Sequence, residues 1–213
     1  PGLVTAFAAA LFLVGAWRTA WVGAVWWPAR ADLASVQRAV AHVPRGATIL
    51  PAEQSPDPEG DPPTPRHRVA AIGFKLYWHL ATLPVPWRDA FVPTLFTGRG
   101  KQTVRARPPW DALAVPQGRL VTIRDLALPP ATIRERVTAD PALYDWRYLA
   151  DWRNTFDFVL VLNADQPGRT GGVSPIPGTE LVADEGFAQL WRIERPGRDR
   201  PAAVEPGPQD FRR

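Results

Sequence analysis

The first 28 residues constrain the structure of this chain most, because they contain a single charge, Arg18, and four tryptophans. From Gly2 to Trp17 no residue is charged, and a helix of that length at 1.5 Å per residue would be about 24 Å long. That is shorter than the ~30 Å hydrocarbon core of a bilayer. An arginine near the centre of a span costs about 2.5–3.5 kcal/mol, whereas at an interface its stem can snorkel. The sequence therefore favours the terminal half of a membrane span, in a helix that begins before residue 1.

Aromatic residues accompany the end of this apolar run. Tryptophan is enriched where a membrane helix meets water, because its ring is apolar and its N–H is polar. The predicted membrane-interface residues are Trp17, Arg18, Trp21, Trp26 and Trp27.

Two alternatives for the same run remain open. A signal peptide would need a basic segment before the run and a small-residue cleavage site close behind it. Ala29-Arg30-Ala31 has the small-x-small form but follows about a dozen residues after the run, and no basic segment is present. A buried core helix is possible for residues 3–17, although apolarity on all sides lacks the polar face of a surface helix.

Charge and cysteine content exclude several function classes. The net charge is +4, but the arginines are scattered and form no basic run, so the sequence does not predict nucleic-acid binding. There are no cysteines, which excludes disulfides, thiolate metal sites and cysteine nucleophiles.

The later part of the chain predicts an α/β fold. The run Phe158–Leu162 is continuously apolar, as expected for a strand buried on both faces, and helices must then cover both faces. The fold class is α/β, with a small mixed sheet flanked by helices and preceded by a truncated transmembrane or interfacial helix. Further strands are predicted at 47–50, 119–124 and 188–193, with an irregular or edge strand near Pro93.

Helical patterns are predicted in three other segments. Asp32 can cap a helix that runs to about Val43. Residues 69–83 place apolar side chains at helical spacing. Asp140 with Pro141 can start a helix that runs to about Arg153. In that last helix Arg147 and Asp151 would pair at i,i+4. The predicted organisation is a membrane-span end at 1–28, an α/β domain at 29–195 with a mobile loop at 51–68, and a disordered tail at 196–213.

Few residues suggest chemistry, and none forms a known catalytic motif. The alternating Asp57, Glu59 and Asp61 lack the rest of a calcium loop, so a solvated loop explains them. His79 has no second ligand at metal spacing, and a partly buried structural role is favoured. The sequence therefore predicts no catalytic residue, no metal ligand and no cofactor, and it assigns no substrate-binding residue.

An anion-binding loop and a set of carboxylates are weaker indications of chemistry. Residues 169–172 (RTGG) can cradle an anion but are not placed between a strand and a helix, so a loop is favoured. Asp145 and Asp151 fit surface ion pairs, and Asp157 precedes a predicted strand. Catalytic use of these carboxylates is a weak alternative.

The order of segments resembles a known group of proteins. After the apolar helix come DLASVQRAVAHVPRGATIL, YWHLATLPVPWRDAFVPTLFTGRGKQTV, RNTFDFVLVLNAD and ELVADEGFAQLWRIER. Over residues 3–195 this resembles the C-terminal exoplasmic region of bacterial multi-spanning GT-C-type glycosyltransferase-like membrane proteins. The resemblance implies a polyprenyl-phosphate-linked sugar donor and transfer on the exoplasmic face. It places the catalytic aspartate in an early membrane-proximal loop that would precede residue 1, so no catalytic residue carries over.

The sequence thus leads to one expectation and two alternatives. We expect a periplasmic, non-catalytic domain of an integral inner-membrane protein, which covers a membrane active site or helps to select the acceptor. Its expected partners are the lipid bilayer, the upstream transmembrane domain and a lipid-linked sugar, with no nucleic acid. The first alternative is a single-span anchored periplasmic interaction domain without enzymatic activity. The second is a soluble hydrolase that uses His79 with an aspartate.

Overall fold

The computed structural model describes residues 2–55, 64–69, 74–95, 106–115, 119–139, 145–166 and 176–195. Helices α1 to α6 span Gly2–Trp26, Ala29–Ala41, Pro84–Arg88, Ile123–Leu126, Pro130–Ala139 and Trp152–Thr155. Strands β1 to β5 span Ile49–Glu53, Val121–Thr122, Phe158–Leu162, Thr179–Asp184 and Ala188–Ile193. Short 3₁₀ turns occupy Arg66–Arg68, Leu76–Thr82, Trp110–Ala112 and Arg147–Leu149.

Helix α1 is continuous over 25 residues and is therefore about 37 Å long. Its segment Gly2–Ala24 has a mean hydropathy of 1.6, and all of its side chains are exposed. It is long and apolar enough to cross a membrane or to be a signal sequence. The alternative of a buried core helix is not supported, because α1 does not enter the core. Arg18 lies within the helix, eight residues before Trp26.

The five strands form one mixed sheet in the order β2-β1-β3-β5-β4. Strand β1 pairs in parallel with both β2 and β3, whereas β5 pairs antiparallel with β3 and with β4. The central strand β3 is buried at all five positions, as its continuous apolar run predicts. The predicted α/β class with a mixed sheet is confirmed.

Each face of the sheet carries its own hydrophobic core. The side chains of β3 alternate between them: Phe158, Leu160 and Leu162 enter one core, and Val159 and Val161 the other. The first core is closed by α2, by α3 and by the 3₁₀ turn Leu76–Thr82. The second core is closed by α4, α5 and α6. Cover on both faces explains why β3 has no polar position.

Helix α2 is fixed by hydrogen bonds at its middle and at its C-terminal end. At its middle, the Ser35 hydroxyl donates to the Glu185 carbonyl (2.6 Å) and accepts from the Ala188 amide (2.9 Å), next to and at the start of β5. At its end, the buried Arg88 side chain donates to the carbonyls of Val40 and Ala41. A cation at a helix C-terminus satisfies carbonyls that lack intrahelical partners and complements the helix dipole.

The predicted bounds of α2 are wrong at both ends. Asp32 is not the N-cap, because the helix begins at Ala29 and Asp32 lies in its first turn. The helix ends at Ala41 and not at Val43. The Asp32 carboxylate does not cap the helix because Arg68 binds both of its oxygens.

Two other helix predictions also differ from the structure. Within residues 69–83, Val69 forms an antiparallel bridge with Lys75, and a 3₁₀ turn follows at Leu76–Thr82. The predicted helix that ends at Arg153 is instead a 3₁₀ turn and the short α6, and its start at residues 140–144 lies outside the described residues. The predicted strand at 119–124 is reduced to Val121–Thr122, after which the Thr122 capping box starts α4.

The segment predicted as a mobile loop at 51–68 has regular structure at both of its ends. Strand β1 continues through 51–53 with every residue buried, so the sheet holds the start of that segment. Its end forms the 3₁₀ turn Arg66–Arg68, in which Arg68 is buried. The interior of this segment at 56–63, the residues 169–172 and the tail at 196–213 lie outside the described residues.

Candidate functional site at the base of the apolar helix

Polar side chains gather where the parallel strands β1 and β3 end. Glu53 is the last residue of β1, and Asn163 and Asp165 directly follow β3. Since these strands are parallel, their carboxyl ends lie at the same edge of the sheet. Open α/β sheets bind their ligands outside that edge. This edge is therefore the first place to look for a site.

Arg68 connects this edge to α2. Its Nε and Nη2 donate to the two oxygens of Asp32 at 2.8 and 2.7 Å. Its Nη1 and Nη2 also donate to Asp165, at 2.7 and 2.8 Å, and Nη1 donates to Asn163 at 2.9 Å. The guanidinium lies 4.5 Å from the ring centre of Phe187. We call Asp32, Arg68, Asn163 and Asp165 the Arg68 cluster.

The Arg68 cluster keeps its central cation charged. Burial by itself lowers the pKa of Arg68, but the hydrogen bonds and negative charges of Asp165 and Asp32 outweigh it, and the pKa is raised overall. Asp32 is 5% exposed, so its carboxylate depends on Arg68 for compensation. Two carboxylates around one guanidinium leave the cluster with one net negative charge. His67, whose Nε2 is 3.3 Å from Asp32 Oδ2, can offset that charge when protonated.

Glu53 forms a second buried centre at the same edge. Its Oε1 accepts from Lys75 Nζ at 2.5 Å, and its Oε2 accepts from Tyr77 Oη at 2.8 Å and from Trp78 Nε1 at 2.6 Å. The residue is 2% exposed. Both oxygens are engaged by donors, which fixes the orientation of the carboxylate. Its role is to hold the 3₁₀ turn Leu76–Thr82 against the sheet.

Two buried tyrosines give a prediction about alkaline pH. Burial is the main cause that raises the pKa of Tyr77, and the negative charge of Glu53 adds to it; burial likewise raises the pKa of Tyr148. We expect at most one of the three tyrosines in the chain to ionise near pH 10 while the protein stays folded, as measured by tyrosinate absorbance. All three should ionise near pH 10 in denaturant, which is the control.

The same pKa shifts set the direction of the stability change. Above about pH 10 the unfolded chain loses phenolic protons that the folded chain keeps. The free energy of unfolding therefore has its full value below that pH and falls as the pH rises above it. Reversible ionisation of two or three tyrosines in the folded protein would contradict this reading of Tyr77 and Tyr148.

A pocket lies between the end of α1, the first turn of α2 and the 3₁₀ turn Leu76–Thr82. Its volume is ≈ 190 Å³, and its walls are mainly apolar. Trp26, Ala29, Leu33, Leu76 and Leu80 supply those walls. Asp32, Arg68 and Tyr77 form its polar side, and Arg30 and His67 also line it. We call it the α1–α2 pocket.

The predicted interface residues lie on or just after α1 and are exposed. Trp17 and Trp21 stack with ring centres 6.4 Å apart, and Trp26 and Trp27 are 56% and 67% exposed. Arg18 is exposed as well. Of the five, Trp26 also reaches the α1–α2 pocket. The structure therefore connects the tryptophan-rich segment to the site at the sheet edge.

The other residues weighed from the sequence do not meet at this site. His79 is exposed in the 3₁₀ turn, with its ring 5.7 Å from that of Phe74. Asp145 pairs with Arg147, so the expected Arg147–Asp151 pair is wrong, and Asp151 instead accepts from Asn154. Asp157 accepts from the amide and hydroxyl of Thr48 at the opposite edge of the sheet. Asp57, Glu59 and Asp61 lie outside the described residues.

Sequence reasoning missed the residues that define the site. The local pattern at Asp32 indicates a helix cap, and no local pattern distinguishes Arg68, Glu53 or Asp165. The available signal is the tripeptide Asn163-Ala164-Asp165, which directly follows the buried strand β3. Polar residues that follow a parallel strand lie at the edge of the sheet where ligands bind. No local spacing shows that Arg68 contacts Asp32 and Asp165, which lie 36 and 97 positions away.

Comparisons with protein-family models, with curated proteins and with solved structures found no match. Across the part of the chain that the structure describes, no group of three or more histidine, aspartate or glutamate side chains is arranged to hold a metal ion. The site must therefore be interpreted from its own geometry. It combines a buried ionic cluster, an apolar pocket and the end of a helix that is apolar enough to enter a membrane.

Proposed function

We propose that this chain is the membrane-anchored exoplasmic domain of a GT-C-type glycosyltransferase-like protein. In this role it has no catalytic residue of its own, covers the active site in the membrane and helps to select the acceptor. The observation that carries the proposal is the α1–α2 pocket, which brings the ligand-binding edge of the sheet to the end of α1. The order of segments in the sequence supports the family, and the apolar α1 supports the anchor.

The non-catalytic role is supported by how the buried carboxylates are used. A general acid or base must be free to exchange a proton with a substrate. Asp32 has both oxygens bound by Arg68, and Glu53 has both oxygens bound by donors from its own domain. Both carboxylates hold elements together. We therefore look for the reacting groups of the complete protein in the membrane region that precedes this domain.

The first test of this proposal is topological. Alkaline phosphatase would be fused to the full-length protein directly after Arg195. We expect this fusion to be active, since the enzyme folds only on the exoplasmic side. A cytoplasmic reporter at the same position should be inactive. We also expect the reading frame upstream of Pro1 to encode many apolar spans, with an acidic residue in the first exoplasmic loop.

Each outcome leads to a different conclusion. An active cytoplasmic reporter would place the domain on the wrong side for transfer from a polyprenyl-linked donor and would end the proposal. A start codon shortly before Pro1, together with an exoplasmic domain, would leave the single-span interaction domain. Many spans together with an exoplasmic domain would support the glycosyltransferase-like protein.

A further inference from the structure

We propose that the α1–α2 pocket binds an anionic phospholipid from the surrounding bilayer. A segment of one acyl chain lies against the apolar walls, and the phosphate faces Arg30. The inference rests on the proposed function in one respect, which is that α1 lies in a membrane. It adds a ligand, a chemical class and an orientation for the pocket.

The shape and walls of the pocket fit part of a lipid. At ≈ 190 Å³ it is smaller than the ~300–1,000 Å³ typical of sites that enclose a whole drug-sized ligand. It can therefore hold a segment of an acyl chain while the rest of the molecule stays in the bilayer. Leu33 is 39% exposed, which is high for a leucine, and with Leu76 and Leu80 it offers the chain an apolar wall.

The charges at the pocket select the sign of the headgroup. Arg68 binds both Asp32 oxygens and also Asp165, and His67 Nε2 lies 3.3 Å from Asp32 Oδ2, so the cations next to Asp32 are used inside the cluster. Arg30 is exposed, lies 4.4 Å from the ring centre of Trp27 and has no carboxylate partner among the residues that the structure describes. Arg30 is therefore the cation that remains for a ligand. An accessible cation next to an apolar cavity favours an anionic phospholipid over a zwitterionic one.

The position of the pocket along α1 agrees with the depth of lipid headgroups. The apolar segment Gly2–Ala24 ends two residues before Trp26, which lines the pocket. Arg18 lies about 12 Å before Trp26 along the helix axis, and its long side chain can extend toward the headgroups. Trp26 and Arg30 then fall in the interfacial layer, where tryptophan rings and arginines meet phosphates.

Lipid retention by the full-length protein tests this proposal. The protein, extracted with its own spans into detergent, would be equilibrated with equal amounts of phosphatidylglycerol and phosphatidylcholine and examined by native mass spectrometry. We expect one phosphatidylglycerol to be retained preferentially. Arg30→Ala should lower that retention about fivefold, since a cation near an anionic headgroup is worth ~1 kcal/mol. Leu33→Asp should lower it about as much or more, because it places a carboxylate in the apolar wall that contacts the acyl chain.

Matched controls separate the pocket from general surface effects. Leu181→Asp changes a leucine that is 43% exposed on β4, and Arg45→Ala removes an exposed arginine paired with Asp89. Both should leave retention unchanged. Equal retention of phosphatidylcholine, no loss with Leu33→Asp, or a polyprenyl phosphate retained in place of the phospholipid would each overturn the proposal.

A separate measurement keeps this proposal distinct from the one on which it rests. Labelling of the full-length protein with a membrane-impermeant maleimide shows whether α1 is inserted, with a single cysteine introduced by Phe12→Cys on the exposed surface of α1. If Phe12→Cys is labelled in membranes as fully as after solubilisation in denaturant, the membrane placement of α1 has failed. If Phe12→Cys is protected in membranes while the protein retains no phosphatidylglycerol, only the lipid site has failed.

Discussion

Replacement of Arg68 by methionine is expected to destabilise the α/β domain by about 3–5 kcal/mol, the usual cost of removing one partner of a buried ion pair. Methionine keeps much of the side-chain volume but removes every hydrogen bond to Asp32, Asn163 and Asp165. Asp32 would then be a buried carboxylate without its cation. The free energy of unfolding should be measured by denaturant titration of the detergent-solubilised protein, with near-ultraviolet circular dichroism as the signal.

The control for Arg68→Met is Arg45→Met. Arg45 pairs with Asp89 at the surface, where both side chains are more than half exposed, and such pairs contribute ~0–1 kcal/mol. A second variant, Asp32→Asn in the Arg68→Met background, removes the uncompensated charge and should recover part of the loss. If Arg68→Met and Arg45→Met have the same stability, the Arg68 cluster does not hold α2 to the sheet edge.

Replacement of Glu53 by glutamine is the second large expected effect, about 1.5–3 kcal/mol, the range for a hydrogen bond to a charged group. The amide keeps one acceptor oxygen but presents an NH₂ group to a donor of the protein. Trp78 Nε1 cannot turn into an acceptor, and the Lys75 ammonium loses its counter-charge. The change should appear in the same denaturant titration.

Glu180→Gln is the matched control for Glu53→Gln. Glu180 lies on β4 with its side chain 52% exposed, 3.4 Å from Arg192. Its replacement should change stability by no more than about 0.5 kcal/mol. The 3₁₀ turn Leu76–Thr82 should also become more accessible to protease in Glu53→Gln, because its bonds to β1 weaken. If Glu53→Gln lowers stability while the turn Leu76–Thr82 stays protected from protease, the loss of stability arises elsewhere in the domain.

The parts of the fold that were predictable from sequence are those whose pattern is local. Strand β3 matches its predicted residues 158–162, since a short, continuous and β-branched apolar run bounded by polar residues favours a buried strand. Strand β5 matches its predicted residues 188–193. The predicted helix at 69–83 failed for a non-local reason. Tyr77 and Trp78 are neighbours in sequence, and both donate hydrogen bonds to Glu53, which lies more than 20 residues before them. This distant partner favours the 3₁₀ turn over the α-helix that the local apolar pattern predicts.

The candidate site was hidden from sequence reasoning for the same reason. The sequence around Trp26 predicts a membrane-interface residue, but nothing in that sequence shows that Trp26 also lines a pocket with Leu80 and Arg68. Arg68 itself sits in RHR, a sequence that suggests an exposed basic turn. Only the tertiary structure places its guanidinium among three polar partners and over the ring of Phe187.

The Arg68 cluster also imposes an order of events during synthesis. Arg68 and its partner Asp165 are 97 residues apart, so at ~5–20 residues per second the second partner leaves the ribosome about 5–20 s after the first. Helix α1 has left the ribosome long before that time. If α1 enters a membrane as proposed, it does so while the domain is still unfolded, and the sheet edge is then assembled on a tethered chain.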